Sequence, residues 1–237
     1  MKYTSTTNNQ TLMEQAHESL RDKWGVAIGS WLIFFILTNL GHHHHYLGNF
    51  GENSFGLISL IIGGPLTLGY VSIILLISRN QEPAFELLLS GFKRFGVALA
   101  TYLLIIIFII LWLLLLIIPG VIACLRYSQT WYILSEDENI GPLDAIEKSK
   151  EMMVGNIWKL FCLYCRFIGW FILCIVTLGL AGLYVGPYFS VSGAKFYEDL
   201  KSGILDEKIE PDPEDQETNS DERLEKLKPE NDTGEET

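Results

Sequence analysis

Apolar residues in this chain run in long uninterrupted blocks instead of alternating with polar ones. Four stretches carry no formal charge: 24–51, 53–78, 96–125 and 167–194. Each reaches or exceeds the roughly 20 residues that cross a hydrocarbon core of about 30 Å, so each predicts membrane-embedded helix. The first 23 residues are polar and the apolar run begins only at Trp24, which predicts a retained anchor rather than a cleaved signal peptide.

Between the blocks lie short amphipathic segments. The Asn/Thr-rich residues 1–11 are expected to be flexible, up to a capping box formed by Thr11 and Glu14. Met13, Ala16, Leu20 and Trp24 then line one helical face, as in a helix lying on a membrane. In 83–95, Phe85, Leu88, Leu89 and Phe92 recur at i, i+3, i+4 and i+7; in 142–154, Leu143, Ile146, Met153 and Val154 gather against Asp144, Glu147, Lys148 and Glu151. Both segments open with proline, which suits a first helical turn, and both end at a glycine, Gly96 or Gly155. With the N-terminal segment they predict three repeats of one unit: an interfacial helix, a span, a turn and a returning span.

This gives an all-α polytopic bundle of about six spans, 25–40, 55–78, 97–118, 121–134, 157–178 and 183–197, with Pro119-Gly120 breaking the helix between the third and fourth. Four spans with two re-entrant or interfacial segments are the alternative, because the fourth and sixth are short. Charge favours six. With the N-terminus inside, the outer loops 41–54, 119–120 and 179–182 contain no Lys or Arg, whereas the inner side is assigned Lys2, Arg21, Lys23, Arg79, Lys93, Arg94, Lys148, Lys150, Lys159, Lys195 and Lys201. Trp24 and Trp158 fall at the inner boundary and Trp112 near the outer one.

Composition sharpens the picture. Of 237 residues, 49% are hydrophobic and 19% charged, with a net charge of −11. Residues 206–237 hold 14 acids and 4 Lys/Arg, so the remainder is nearly neutral. No basic patch remains to argue for nucleic acid. The acidic stretch lacks the aliphatic content to fold alone, which predicts three regions: a flexible start (1–11), a transmembrane domain (12–205) and a disordered cytoplasmic tail (206–237). Cys124, Cys162, Cys165 and Cys174 lie inside apolar runs and read as small hydrophobes.

Arg126 and Arg166 are the formal charges deep within the predicted spans, and neither has an acid at its depth. Helical spacing puts Arg126 on one face with Gln129 and Thr130, and Arg166 with Cys162 and Gly169. These four, Arg126, Arg166, Gln129 and Thr130, form a candidate interior site for an anion or lipid phosphate; the alternative is bonding to carbonyls or snorkelling. Gly182, Gly186, Ser190 and Ala194 make a small-x-x-x-small ridge suited to helix packing, and Pro65 and Pro187 predict kinks. His42, His43, His44 and His45 are weak metal candidates, with no second cluster to fix a geometry. Neither catalytic nor cofactor-binding motifs are present.

Several stretches taken in order, Gly64-Pro65-Leu66-Thr67-Leu68-Gly69-Tyr70, Ser90-Gly91-Phe92-Lys93-Arg94-Phe95-Gly96, Ile118-Pro119-Gly120, Tyr132-Ile133-Leu134, Asp144-Ala145-Ile146-Glu147-Lys148, Phe167-Ile168-Gly169-Trp170 and Phe196-Tyr197-Glu198-Asp199-Leu200, resemble the integral membrane proteins of domain-of-unknown-function family 975. The resemblance implies a multi-pass protein of the bacterial cytoplasmic membrane and carries no activity. A looser likeness to the membrane domain of some glycerophosphodiester phosphodiesterases favours a lipid-related setting by analogy. Three classes of function remain: a non-enzymatic scaffold that binds a protein partner or itself, a transporter or lipid-handling protein, and, with least support, an enzyme.

Overall fold

The computed structural model describes residues 3–39 and 52–209, and every regular element there is helical. The His run 42–45, the predicted outer loop up to residue 51, and residues 210–237 lie outside the described residues. Helix α1 (Asn9–Leu20) precedes α2 (Trp24–Asn39), α3 (Glu52–Ser78), a 3-10 helix (Phe85–Arg94) and α4 (Phe95–Leu115). Then come α5 (Ile117–Tyr127), α6 (Thr130–Glu136), α7 (Pro142–Met152), α8 (Ile157–Cys165), α9 (Ile168–Val176) and α10 (Gly182–Ile209).

Three apolar stretches are long enough to cross a membrane: Leu60–Ser78, Phe85–Leu115 and Ile157–Val176, with Trp24–Thr38 a shorter one. They differ in what they bury. Helix α3 is central: Leu66, Ile73, Ile74 and Ile77 are fully buried, against the 3-10 helix, α2, α4, α6 and α10. Helix α10 is the second axis, burying Val191, Phe196 and Leu200 against α1, α2 and α3. By contrast α4, the start of α5 and α9 present an apolar outer surface, with Leu114 83% and Val176 74% exposed. Contiguous apolar exposure on this scale marks a surface made for something other than water.

Several boundaries differ from the sequence reading. Helix α1 begins at Asn9, capped by the Asn8 side chain, which accepts from the Gln10 N–H at 3.2 Å; Thr11 lies inside the helix and caps nothing. Its buried face is Leu12, Ala16, Ser19 and Leu20, because the helix packs on α10. The start of the chain, expected to be flexible, is tied down: the Asn156 amide donates to the Tyr3 carbonyl (2.8 Å) and accepts from the Ser5 N–H (3.1 Å). Asp199, buried on α10, accepts from the Ser5 hydroxyl and from the Thr7 hydroxyl and N–H. A buried carboxylate needs donors, and this segment supplies them.

The turn between α4 and α5 falls at Leu116, whose extended backbone (φ −169°) ends α4. Pro119 therefore sits in the first turn of α5, where its missing N–H costs nothing. The predicted span 121–134 is broken between Tyr127 and Thr130, and 157–178 between Cys165 and Ile168. At each break the hydrogen bonding tightens, with Ser128 N–H reaching Leu125 O and Phe167 N–H reaching Tyr164 O. The turn expected at 179–182 lies at 177–181, two residues earlier at its start and one at its end, with Leu178 and Gly179 both left-handed (φ 52° and 91°). Helix α10 continues to Ile209, so the acidic segment is helical for its first four residues, where Glu and Lys favour helix.

The segment 83–95 departs furthest. It forms a 3-10 helix in which every third residue aligns. Leu88 and Gly91 are buried and Arg94 half-buried in one row; Phe85, Leu89 and Phe92 are exposed; Leu87, Ser90 and Lys93 form a third row. The reason is contact with α3. A Cβ on Gly91 would lie 1.9 Å from the Pro65 carbonyl oxygen, and one on Gly69 2.0 Å from that of Leu88. Backbone approach this close requires glycine on both elements, and a three-residue repeat keeps the small face in line. In 142–154, which holds α7 and the two residues after it, Ile146 and Met153 are buried as expected, whereas Leu143 and Val154 are exposed.

Candidate functional site

The end of the bundle where α3, α6 and α10 finish gathers charge. Arg79, the residue after α3, donates to Glu136 at the end of α6 and to Glu198 on α10 (2.8 Å). Glu136 also accepts from Lys201 (2.8 Å) and from the Tyr197 hydroxyl. Burial pulls the Lys201 ammonium below its ordinary range, with the Glu198 carboxylate opposing the shift. Lys195 donates to the Ser78 carbonyl, one of the last acceptors of α3. Arg94 does the same for α6, its guanidinium donating to Leu134 O (2.7 Å), Asp137 O (3.1 Å) and Ile140 O (3.2 Å). These cations cap helix C-termini, where orphan carbonyls and the dipole favour positive charge. Lys159 reaches Asp199 at 3.4 Å on a neighbouring side.

The candidate residues of the predicted spans are not brought together. Arg126 and Arg166 are both exposed on the outside of the bundle, while Gln129 and Thr130 are fully buried. The interior face shared by Arg126, Gln129 and Thr130 is therefore corrected. It assumed an unbroken helix, but α5 stops at Tyr127, and the tightened turn at Ser128 rotates α6 relative to it. Both arginines stand at the C-terminal end of a half-helix: Arg126 in the last turn of α5, Arg166 capping α8. The dipole there favours a cation by about 0.3–1 kcal/mol, less than the roughly 2.5–3.5 kcal/mol that arginine costs mid-membrane. Neither guanidinium has a hydrogen bond or ion pair among the described residues.

Gln129 donates to the Ser128 hydroxyl (2.9 Å), leaving its carbonyl oxygen and the Thr130 hydroxyl buried and unpartnered. Close by, the Tyr70 hydroxyl donates to Ser190 Oγ (3.0 Å), and the Tyr132 hydroxyl to the Ser190 carbonyl (3.3 Å). The ridge on α10 meets α2 through Trp31: a Cβ on Gly186 would lie 2.2 Å from the indole, and one on Gly182 3.5 Å. Ala194 is fully buried.

A cleft of about 710 Å³ opens between α3, the 3-10 helix and the end of α6. It is lined by Leu68, Leu75, Leu76, Leu87 and Leu134, by Ser72, Ser90 and Ser135, and by the charged residues Arg79, Lys93, Arg94, Glu136 and Glu138. Sequence reasoning noted Lys93 and Arg94 as topology markers and as part of a stretch resembling a known family, not as the lining of a cleft. The signal available was the 3-10 row itself, legible only once the repeat is known to be three.

The stretches singled out by resemblance meet in space. Pro65 and Gly69 receive Gly91 and Leu88, Arg94 caps the helix containing Tyr132 and Leu134, and Tyr132 stacks on Tyr197 at 5.3 Å. Ser149 beside Lys148 donates to Arg126 O at 2.7 Å. A family model described as a protein of unknown function (DUF975) matches residues 1–124 and 105–203. The curated proteins and the solved structures contain no match to the chain.

Proposed function

We propose, for a chain that belongs to the family of proteins of unknown function DUF975, a non-enzymatic scaffold of the bacterial cytoplasmic membrane that assembles laterally through the face bearing Arg126 and Arg166. In this reading the chain makes six spans in three repeats: α2 with α3, α4 with α5–α6, and α8–α9 with α10. Both termini, including the acidic segment 206–237, are cytoplasmic. Its support is the absence of Lys and Arg from the three outer loops and the packing of α2 on α3, α4 on α5 and α9 on α10.

The observation that carries the functional part is the outward position of both arginines in an apolar surface, without a partner among the described residues. Arg126 stands beside α7, where Ser149 donates to its carbonyl oxygen, so in this reading it lies toward the inner boundary, and the helix end offsets about 0.3–1 kcal/mol of the cost of a guanidinium in an apolar surface. Compensation then comes from outside the chain, through an acidic or carbonyl-bearing partner helix or a second copy. An anionic lipid phosphate is the alternative partner, since a planar bidentate donor suits it. Native mass spectrometry of the parent and of the Arg126→Gln, Arg166→Gln double variant tests this. Loss of bound subunits in the variant is expected; loss of bound lipid alone assigns the face to lipid, and an unchanged profile of both overturns the reading.

A further inference from the structure

The cleft between α3, the 3-10 helix and α6 has unused chemistry. At about 710 Å³ it falls within the range of roughly 300–1,000 Å³ typical of small-ligand sites. Its lining combines buried leucines, Leu68, Leu75 and Leu134, with three serines and with more exposed charged residues, Lys93 and Glu138 among them, so it is amphipathic. Two charged groups are spoken for: Arg79 by Glu136 and Glu198, and Glu136 by Arg79, Lys201 and Tyr197. Three have capacity left. Lys93 has no hydrogen bond or ion pair among the described residues, so its ammonium donors are free. Arg94 uses three of its five N–H groups on the carbonyls of Leu134, Asp137 and Ile140, at and after the end of α6. Glu138 is exposed and without a described ion pair. Two cations against one acid leave an excess of one positive charge where α3 ends and the polar end of the bundle begins. Row three of the 3-10 helix supplies Leu87, Ser90 and Lys93 in line, apolar to cationic. The same three line an adjoining cleft of about 450 Å³.

We propose that this cleft is a phospholipid site: Lys93 and Arg94 hold the phosphodiester, and Leu68, Leu75, Leu76 and Leu87 receive the start of an acyl chain. One negative charge matches the local excess, and the charge-assisted bonds it accepts are the strong kind. The inference rests on the membrane placement proposed above and uses a different surface from Arg126 and Arg166. It is tested with the full-length protein in a nonionic detergent, by native mass spectrometry and thermal shift with phosphatidylglycerol, diacylglycerol and inorganic phosphate as separate probes. Phosphatidylglycerol is expected to bind and stabilise, diacylglycerol and inorganic phosphate not. Lys93→Gln should weaken phosphatidylglycerol binding roughly tenfold, Lys93→Arg should restore it, and Leu76→Trp should block it by filling the apolar wall. Equal stabilisation by inorganic phosphate would make the site a simple anion site, and equal binding of diacylglycerol a plain apolar groove; either overturns the proposal. So does undiminished phosphatidylglycerol binding by Lys93→Gln. Failure of the membrane placement itself reads differently: the chain would then remain monodisperse without detergent.

Discussion

Single residues decide the closest approaches in this protein. Gly69 and Gly91 let the α3 backbone and the 3-10 helix touch, each side-chain position pointing at the other element's carbonyl. A methyl group there cannot be absorbed by a rotamer change, because the obstacle is backbone. Gly91→Ala should therefore destabilise the folded protein by about 1–3 kcal/mol or more, read as a lowered thermal midpoint in detergent. Gly25→Ala is the control: nothing lies within 4 Å of its Cβ position, and in the first turn of α2 alanine should be neutral to stabilising by up to about 1 kcal/mol. Asp199 and Asn156 act at the same scale by giving an otherwise unstructured polar start of the chain fixed partners.

At the scale of elements, the 3-10 helix separates two neighbours that an α-helical reading places on one face. Leu88 is 4% exposed and Leu89 63%. Leu88→Ala should cost about 2–5 kcal/mol, as for a buried leucine, while Leu89→Ala should leave detergent stability within about 0.5 kcal/mol. Equal losses at both positions in a thermal or chemical unfolding series would restore the α-helical register. The broken spans make the same point. Their halves end at Tyr127 and Cys165, each beside an arginine, so the element boundary, not the hydropathy, sets which way that charge points.

For the whole molecule, the contrast is between a bundle axis of α3 and α10, which is buried, and an apolar girdle of α4 and α9, which is not. Charge is sorted along the same axis, into the network of Arg79, Glu136, Glu198 and Lys201 at one end. If that end is cytoplasmic, cysteines placed at 138 and 148 in a cysteine-free background should resist a membrane-impermeant reagent applied to intact cells. One at 180, in the exposed α9–α10 turn, should react. Labelling at 148 from outside would require a span count other than six.

Hydropathy alone established that the described chain is helical with membrane-length apolar segments, and the order of its motifs established the family, because burial of backbone polar groups in lipid leaves helices few alternatives. Proline at the start of α7 and the turn after α9 were equally legible, being local in origin. What the sequence did not contain was the register of elements whose repeat is set by a neighbour. Whether 83–95 would wind with three or 3.6 residues per turn depended on Pro65 and Gly69, about twenty residues away in sequence. The face carrying Arg126 depended on a turn at Ser128, and the flexible start became fixed only because Asp199 and Asn156 were buried beside it. Each of these is a long-range contact satisfying backbone or carboxylate groups, and periodicity along one segment carries no information about the partner that satisfies them.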